Sequence, residues 1–299
     1  MDLAQKAVLV LCADNGVVCE GVTQTGSEVT AIVAENFTTG NASVCRMAQI
    51  AGARVVPVDI GIGRPMRCPG LLDRRVRSGT GNIAREPAMT REEAERAICV
   101  GIDLVAEEAA RGTRVIATGE MGIGNTTTSS ALASVLLGLE PEAVTGRGAG
   151  LSSDGLRTKV SVIRRALALH QPDPSDPVGA LAAVGGLDIA GLAGVFLGGA
   201  ISHIPIVIDG VIAAVAALVA ARIEPRAVAY MLASHVSAEP AGQLLLDALG
   251  LAPVITAGMC LGEGTGAVAL FPLLDMAAAV YREMTTFDEN DIAQYEELK

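Results

Sequence analysis

The segment Ala7-Val8-Leu9-Val10-Leu11-Cys12-Ala13 is a continuous apolar run that ends in the polar turn Asp14-Asn15-Gly16. An apolar run without polar alternation is typical of a parallel strand that helices cover on both faces. The turn places a carboxylate directly after the strand, at the sheet edge where α/β proteins bind their ligands. This stretch therefore predicts the first strand of a parallel sheet with a site at its end.

Downstream of this run, apolar segments alternate with helical patterns. Further strands are predicted at residues 55–60, 114–118, 204–208 and 230–233, with a weak last strand at 254–259. A capping box formed by Thr90 and Glu93 predicts a helix that runs to about residue 110. Strands that alternate with helices predict an α/β fold, namely a doubly wound, Rossmann-like parallel sheet with helices on both faces.

The composition limits the class of protein. The chain has 299 residues, 51% of them hydrophobic, so it can bury a large core. A net charge of −11 and an aromatic content of 2% argue against a nucleic-acid partner, which needs clustered cations and stacking rings. The six Cys lack metal-site spacing and, with no recognisable signal peptide, indicate free thiols in the cytoplasm. We expect neither a metal nor a cofactor.

Residues 189–221 are apolar enough to suggest a membrane span. Ser202, His203, Pro205 and Asp209 interrupt this stretch. A membrane helix needs about 20 predominantly apolar residues in succession. We therefore expect a buried helix, strand and helix here, and no membrane association.

Several polar side chains follow predicted strands and should meet at one edge of the sheet. They are Asp14, Glu120, Asp209, Ser234 and Glu263. Because the carboxyl ends of parallel strands face one crevice, this convergence is the strongest physical indication of a site.

The turn Gly119-Glu120-Met121-Gly122-Ile123-Gly124-Asn125-Thr126-Thr127 follows the third predicted strand. Backbone N–H groups in such a turn, together with a helix N-terminus, can bind a phosphate. The alternative is a tight turn in which Asn125 caps the next helix, and the pattern favours neither. A second anion site is conceivable at Gly146-Arg147-Gly148-Ala149-Gly150 with Lys159, although a flexible connection and a solvated lysine are favoured there.

Glu263 stands between glycines in Leu261-Gly262-Glu263-Gly264-Thr265-Gly266, with apolar segments on both sides. Glycines let a substrate approach the backbone, and a Glu in an apolar, partly dry site can accept a proton near neutrality. The alternative is a surface turn with an incidental Glu, but the flanks are too apolar for that. We predict a general base at this position.

Together these segments resemble the nicotinate-nucleotide:dimethylbenzimidazole phosphoribosyltransferases of cobalamin biosynthesis over nearly the whole chain. Besides residues 119–127 and 261–266, the matching segments are Ala13-Asp14-Asn15-Gly16-Val17, Glu20-Gly21-Val22-Thr23, Glu28-Val29-Thr30, Asn82-Ile83-Ala84-Arg85-Glu86-Pro87-Ala88-Met89, Lys159-Val160 with Arg164-Arg165-Ala166, Val184-Gly185-Gly186, Ile208-Asp209-Gly210 and Ser234-His235-Val236-Ser237-Ala238-Glu239. The resemblance implies one phosphoribosyltransferase domain over residues 1–299. It also implies a small helical subdomain built from the chain ends, with residues 266–299 as its C-terminal part and tail.

The resemblance also implies a reaction and a site. The 5-phosphoribosyl group moves from nicotinate mononucleotide to a nitrogen of 5,6-dimethylbenzimidazole, which yields α-ribazole 5′-phosphate and nicotinate. Glu263 would take the proton of the benzimidazole N–H, and Glu120 would stabilise the cationic ribose. The implied substrate-binding residues are Thr23, Ser27, Met121, Gly122, Asn125, Thr126, Thr127, Gly148, Lys159, Asp209, Ser237 and Leu261. A homodimer is expected.

Two features separate this chain from many members of that family. Members carry an N-terminal helical arm before the first strand, whereas this chain begins almost at that strand. The pocket segment Thr23-Gln24-Thr25-Gly26-Ser27 also lacks the aromatic residue or Pro that is common there. These departures leave open another acceptor base or a phenol. They also leave open a non-catalytic or partner-dependent nucleotide-binding subunit of a heterodimer. A dinucleotide-dependent oxidoreductase is disfavoured, because no G-x-G-x-x-G follows the first strand.

Overall fold

The apolar run at the start of the chain forms the central strand β1 (Lys6–Ala13), and all of its residues after Lys6 are buried. In this computed structural model, which describes residues 3–296, β1 pairs in parallel with β2 (Ala53–Gly61) on one side. On its other side it pairs in parallel with β4 (Val115–Met121). The short strand β3 (Leu72–Asp73) extends the sheet beyond β2.

The strands β5 (Ile206–Ile208) and β6 (Met231–Ala233) complete a six-stranded parallel sheet with the order β3-β2-β1-β4-β5-β6. This order confirms the predicted doubly wound sheet. The chain winding reverses between β1 and β4, and such a reversal opens a crevice at the carboxyl ends of those strands.

Helices cover both faces of the sheet. In chain order they are α1 (Glu28–Thr39), α2 (Ser43–Ala51), α3 (Arg91–Ala110), α4 (Asn125–Leu137), α5 (Pro141–Val144), α6 (Ser153–His170), α7 (Pro177–Val184), α8 (Leu187–Ser202), α9 (Val211–Ile223), α10 (Ala241–Leu249) and α11 (Thr265–Glu283). Short 3-10 helices lie at Gly16–Glu20, Pro225–Tyr230 and Asp288–Asn290.

Alternate residues of β1 belong to two separate cores, because side chains of a strand point to opposite faces in turn. Leu9 and Leu11 pack with α3, α4, α8 and α9. Val8 and Val10 pack with α1, α2 and α11. The sheet is therefore buried on both faces, as the unbroken apolar run predicted.

The helices α3 and α8 touch backbone to backbone through glycines. A Cβ on Gly101 would overlap the carbonyl oxygen of Gly191, and a Cβ on Gly194 would overlap the carbonyl oxygen of Ile98. This close packing places the first turn of α8 beneath the carboxyl ends of β1 and β4.

Some local predictions differ from the structure. The weak strand predicted at residues 254–259 is wrong: only Ile255 forms a β-bridge, with His235, and Gly258 has a φ of 63° that ends the extended conformation. Strand β4 runs three residues further than predicted, so Glu120 lies within the strand. The capping box at Thr90 is confirmed. The short strand β3 and helix α10 were not predicted.

The apolar stretch at residues 189–221 contains most of α8, the strand β5 and most of α9. Within the described residues, no helix is long and apolar enough to cross a membrane.

At the C-terminus, α11 packs on the same face as α2. Residues 3–5, which precede β1, contribute no helix, so the predicted two-ended helical subdomain stays a prediction.

Candidate active site

A cleft of about 250 Å³ lies at the carboxyl ends of β4 and β5, where the sheet topology predicts a site. Loops after β5, β6 and α10 and the first turn of α4 form its walls. Its lining includes the carboxyl-bearing residues Glu120, Asp209, Glu239 and Glu263, and the apolar residues Val33, Met121, Ile212 and Leu261.

Glu120 projects from the end of β4 and is almost completely buried, with 7% of its surface exposed. Its carboxyl accepts hydrogen bonds from the Asn125 side-chain amide and from the backbone N–H of Glu263. Burial raises the pKa of Glu120 to about 8, and the charges of Asp188 and Asp209 act in the same direction. Near neutral pH this residue is therefore mostly protonated.

Asp188 lies in the first turn of α8 and belongs to the same hydrogen-bonded group. Its Oδ2 accepts a hydrogen bond of 2.9 Å from Asn125 Nδ2, so the Asn125 amide binds two carboxyls. Burial raises the pKa of Asp188 to about 6. Sequence reasoning missed this residue, although an Asp just after Gly185-Gly186 at the start of an apolar helix was a visible signal.

Glu263 occupies a left-handed backbone conformation, with a φ of 62°, between Gly262 and Gly264, which are also left-handed. Its Oε2 accepts a hydrogen bond of 3.1 Å from the backbone N–H of Val44 in the first turn of α2. The loop lies directly on β4, where a Cβ on Gly119 would overlap the Glu263 carbonyl oxygen. The Glu263 side chain is half-buried and borders the cleft.

Asp209, at the end of β5, holds the Glu263 loop in place. Its carboxylate accepts hydrogen bonds from the backbone N–H groups of Gly264 (3.2 Å), Gly266 (2.8 Å) and Ala267 (3.1 Å). Burial raises the pKa of Asp209, while His235 and the three N–H donors oppose that shift. The carboxylate therefore also caps the N-terminus of α11.

His235 follows β6 and packs against Gly266, where a Cβ would overlap the imidazole ring. The Ser234 hydroxyl donates to the Ile208 carbonyl at 2.6 Å. The same hydroxyl lies 2.9 Å from His235 Nδ1, so Nδ1 carries the proton that is donated to it. Burial lowers the pKa of His235, while the charge of Asp209 opposes that shift, and the residue borders the cleft.

Lys159 is fully buried beneath the glycine-rich loop that precedes α6. Its Nζ donates to Thr126 Oγ1 at 2.8 Å and to the Gly146 carbonyl at 3.2 Å. Burial lowers the pKa of Lys159 to about 8, and the nearby Glu239 opposes that shift. The solvated lysine favoured on sequence grounds is wrong, because Lys159 faces the turn that begins α4.

Glu239 ties the same glycine-rich loop to the segment after β6. Its Oε1 accepts a hydrogen bond of 3.0 Å from the backbone N–H of Gly148. Gly146 packs so closely on this carboxylate that a Cβ there would overlap Glu239 Oε2. Glu239 was recognised within a matching segment but not as part of the site.

The structure brings most of the predicted site residues together. The cleft is lined by Glu120, Met121, Gly122, Asn125, Thr126, Gly148, Asp209, Ser237, Leu261 and Glu263. Gly124, not Asn125, is the N-cap of α4. Thr127 is buried inside α4, where its hydroxyl has no hydrogen-bond partner among the described residues.

Four predicted binding residues do not line the cleft: Thr23, Ser27, Thr127 and Lys159. Lys159 lies behind Thr126, whereas Thr23 and Ser27 belong to a separate segment. Their segment reaches the glycine-rich loop through Gln24, whose side-chain amide donates to the Ala149 carbonyl at 3.2 Å.

One crevice of a Rossmann-like sheet is thus lined by several carboxyl groups and a glycine-rich turn, and a buried lysine lies behind it. A family model described as "Phosphoribosyltransferase" matches residues 1–292 of this chain. The fold, the cleft and this match define the chain as a phosphoribosyltransferase.

Relatives with known names narrow this class. The nicotinate-nucleotide–dimethylbenzimidazole phosphoribosyltransferase of Acetivibrio thermocellus is 48% identical over 292 residues, which cover 98% of this chain and 83% of the relative. The enzyme of the same name from Escherichia coli is 45% identical over 94% of this chain and 79% of its own length. The crystal structure of CobT from Thermus thermophilus superposes with a TM-score of 0.93 at 42% identity, covering 98% of this chain and 88% of that one. The chain belongs to the nicotinate-nucleotide–dimethylbenzimidazole phosphoribosyltransferase family and is a pentosyltransferase.

Proposed function

We propose that the protein transfers the 5-phosphoribosyl group from nicotinate mononucleotide to 5,6-dimethylbenzimidazole or a related base. The products are α-ribazole 5′-phosphate and nicotinate, and the reaction serves the assembly of the cobalamin nucleotide loop. One observation supports this most directly: Glu263 borders the cleft beside the apolar side chains of Met121 and Leu261. A flat, apolar base with one acidic N–H fits such a surface next to a carboxylate.

The chemistry needs one base and no general acid. As Glu263 takes the proton of the benzimidazole N–H, the ring nitrogen forms a bond to the anomeric carbon of the ribose. The bond from that carbon to the pyridinium nitrogen breaks, and its electron pair leaves with nicotinate as a neutral pyridine nitrogen. The left-handed backbone at Glu263 and its hydrogen bond to Val44 fix the direction of the carboxylate before substrate binds.

We place the phosphate of the nucleotide at the part of the cleft lined by Thr126 and Gly148. Behind this surface the buried ammonium group of Lys159 donates to Thr126, and the first turn of α4 adds a helix N-terminus. Gly148 and Ser237 border the same region.

Asp209 acts through the Glu263 loop, because its carboxylate already accepts three backbone N–H groups. Thr23 and Ser27 influence binding through the glycine-rich loop that Gln24 contacts.

We also propose that residues 1–299 act as one domain, in the cytoplasm, and as a homodimer. Three apolar side chains on α11 and a fourth at its C-cap, spaced by three or four residues, are exposed: Leu273, Met276, Val280 and, at the cap, Met284. These four residues form one stripe, which we call the α11 stripe. Association of two copies through a shared apolar face would remove this stripe from water. A heterodimeric, non-catalytic subunit is less well supported, since both proposed catalytic carboxyls line the cleft.

The purified chain tests the proposal directly. Nicotinate mononucleotide is incubated with dimethylbenzimidazole, benzimidazole, adenine and phenol in separate reactions, and the products are identified by mass. We expect α-ribazole 5′-phosphate with dimethylbenzimidazole and equimolar nicotinate. Failure of every acceptor to react would contradict the proposal, and reaction only after addition of a partner protein would favour the heterodimer.

A further inference from the structure

Behind Glu120 lies a second carboxyl that no step of the reaction uses. Asp188 is completely buried, yet it shares the Asn125 amide with Glu120. Both hydrogens of that amide are thereby engaged by carboxyl oxygens. Glu120, Asn125 and Asp188 thus form a continuous chain from the cleft to the first turn of α8.

The position of Asp188 is built closely around its carboxylate. Its Oδ1 accepts a hydrogen bond of 3.0 Å from the Ile189 backbone N–H at the start of α8. On the other side, a Cβ on Gly122 would lie 2.9 Å from Oδ2, so only glycine leaves room for this oxygen. A buried acid in such a tight surrounding has a defined orientation toward Asn125.

The groups that face these two carboxyls are mainly acidic. Glu120 faces Asp188 from α8 and Asp209 from β5, and it also contacts the backbone of Glu263. Asp188 faces Asp14 from the end of β1. The buried thiol of Cys12 in β1 lies near both. Two negative charges on one amide in so dry a site would repel strongly, so the pair retains a proton.

We propose that Asp188 is a positioning residue: its negative charge keeps Glu120 protonated, and its hydrogen bond to the Asn125 amide helps to aim Glu120 into the cleft. Asp188 carries the negative charge of the pair, and Glu120 carries the proton. The pKa values of about 6 for Asp188 and about 8 for Glu120 agree with that order. A protonated Glu120 can donate a hydrogen bond to the ribose or to the nicotinate carboxylate, and it does not repel the anionic nucleotide.

This inference rests on the proposed function, since it assigns Glu120 a neutral state during phosphoribosyl transfer. It replaces the ionised Glu120 that the family resemblance suggested as a partner for a cationic ribose. Oε1 of Glu120 faces Gly262, where a Cβ would lie 2.7 Å from it, so only glycine fits against this oxygen. Oε2 is the atom bound by Asn125.

The pH profile of kcat/KM for nicotinate mononucleotide tests the role of Asp188. In the wild type, activity should fall as Glu120 ionises above pH 8. Asp188→Asn removes the neighbouring charge and lowers the pKa of Glu120, so the fall should begin on the order of one pH unit lower. Because Lys159 also titrates near pH 8, the same substitution is made in a Glu120→Gln background. In Glu120→Gln, adding Asp188→Asn should leave the pH at which kcat/KM falls unchanged.

A measurement without turnover separates this inference from the proposed function. The melting temperature is recorded from pH 5 to pH 9 for the wild type, Asp188→Asn and the control Glu108→Gln, which removes a buried carboxyl that pairs with Arg54 and does not act on Glu120 or Asp188. The melting temperature should stop declining with rising pH at a lower pH in Asp188→Asn than in Glu108→Gln.

Each outcome of the two experiments decides one proposal. An inactive wild type whose melting curves behave as described would overturn the transferase proposal but not the role of Asp188. An active Asp188→Asn with the wild-type pH profile would overturn the role of Asp188. If Asp188→Asn shifts the pH profile equally in the wild-type and the Glu120→Gln backgrounds, the role of Asp188 would also be overturned.

Discussion

The carboxylate of Glu263 accepts a hydrogen bond from the backbone N–H of Val44, 219 residues earlier in the chain, at a distance of 3.1 Å. The donor lies in the first turn of α2, where backbone N–H groups have no partner within the helix. The first turn of α2 thus presents this donor directly to the Glu263 side chain. The base is thereby fixed in direction at the edge of the cleft.

Replacing Glu263 by Gln should remove the base while keeping the contact to Val44, because the amide oxygen can still accept that hydrogen bond. We expect kcat to fall by about 10²–10⁴-fold, the usual contribution of a general base. The dissociation constant of nicotinate mononucleotide, measured by calorimetry, should stay within about threefold of the wild type, because Glu263 does not contact the phosphate in our proposal. Turnover at the wild-type rate would rule out the assigned role.

Replacing Lys159 by Met should weaken binding of nicotinate mononucleotide by at least about tenfold, since a charge-assisted contact to phosphate is lost. In the wild type the affinity should also fall above pH 8, because the ammonium group, whose pKa is about 8, loses its proton there. This pH dependence should be smaller in Lys159→Met, where only the ionisation of Glu120 remains. Calorimetric titrations at pH 7 and pH 9 measure both effects. Arg157→Met, on the exposed side of the same helix, is the control and should bind normally.

Replacing Asp209 by Asn should loosen the loop that carries Glu263. The amide has one acceptor oxygen for three backbone donors, so buried N–H groups lose partners, at a cost of about 1–3 kcal/mol in the free energy of unfolding. We also expect a lower kcat, because the base is less well held. Urea denaturation measures the stability change. The exposed Asp247→Asn in α10 is the matched control, and equal stability of the two variants would contradict this role.

Buried Glu120 should make the protein lose stability as pH rises from 5 to 8. Its pKa of about 8 lies above the ordinary value near 4.5, so the folded chain holds a proton that the unfolded chain releases. The free energy of unfolding therefore falls progressively across this window, and the loss due to Glu120 is constant above pH 8. Glu120→Gln carries no such proton, so its melting temperature should decline less than that of the wild type between pH 5 and pH 8. Parallel curves would contradict the raised pKa.

Charges placed in the α11 stripe should separate a homodimer into monomers. Met276→Glu combined with Val280→Glu puts two carboxylates on the exposed apolar face of α11. Light scattering after gel filtration should report about half the wild-type mass. Glu283→Lys, near the end of the same helix, alters a charge without adding one to the stripe and should leave the mass unchanged. A wild type that is already monomeric would exclude the dimer.

Much of the fold was predictable because burial of parallel strands and helices is visible in local patterns. The apolar run of β1 and the capping box at Thr90 are signals of that kind, and both are confirmed. The segment at residues 254–259 has apolar residues but lacks a partner strand along most of its length, so its conformation depends on tertiary contacts. The end of β4 was misplaced for a similar reason: the pairing of Cys12 with Met121 extends the strand into a glycine-rich segment.

The sequence by itself determined the α/β class, the family, the crevice at the carboxyl ends of the strands and most of the residues that line it. These features follow from periodicity and from motifs whose residues are neighbours in the chain. Only the tertiary structure decided that Lys159 is buried, that Asp188 reaches Glu120 through Asn125, and that burial raises the pKa of Glu120. The protonation of a side chain depends on burial and on charges that distant segments bring within a few ångströms, and that arrangement exists only in the folded chain.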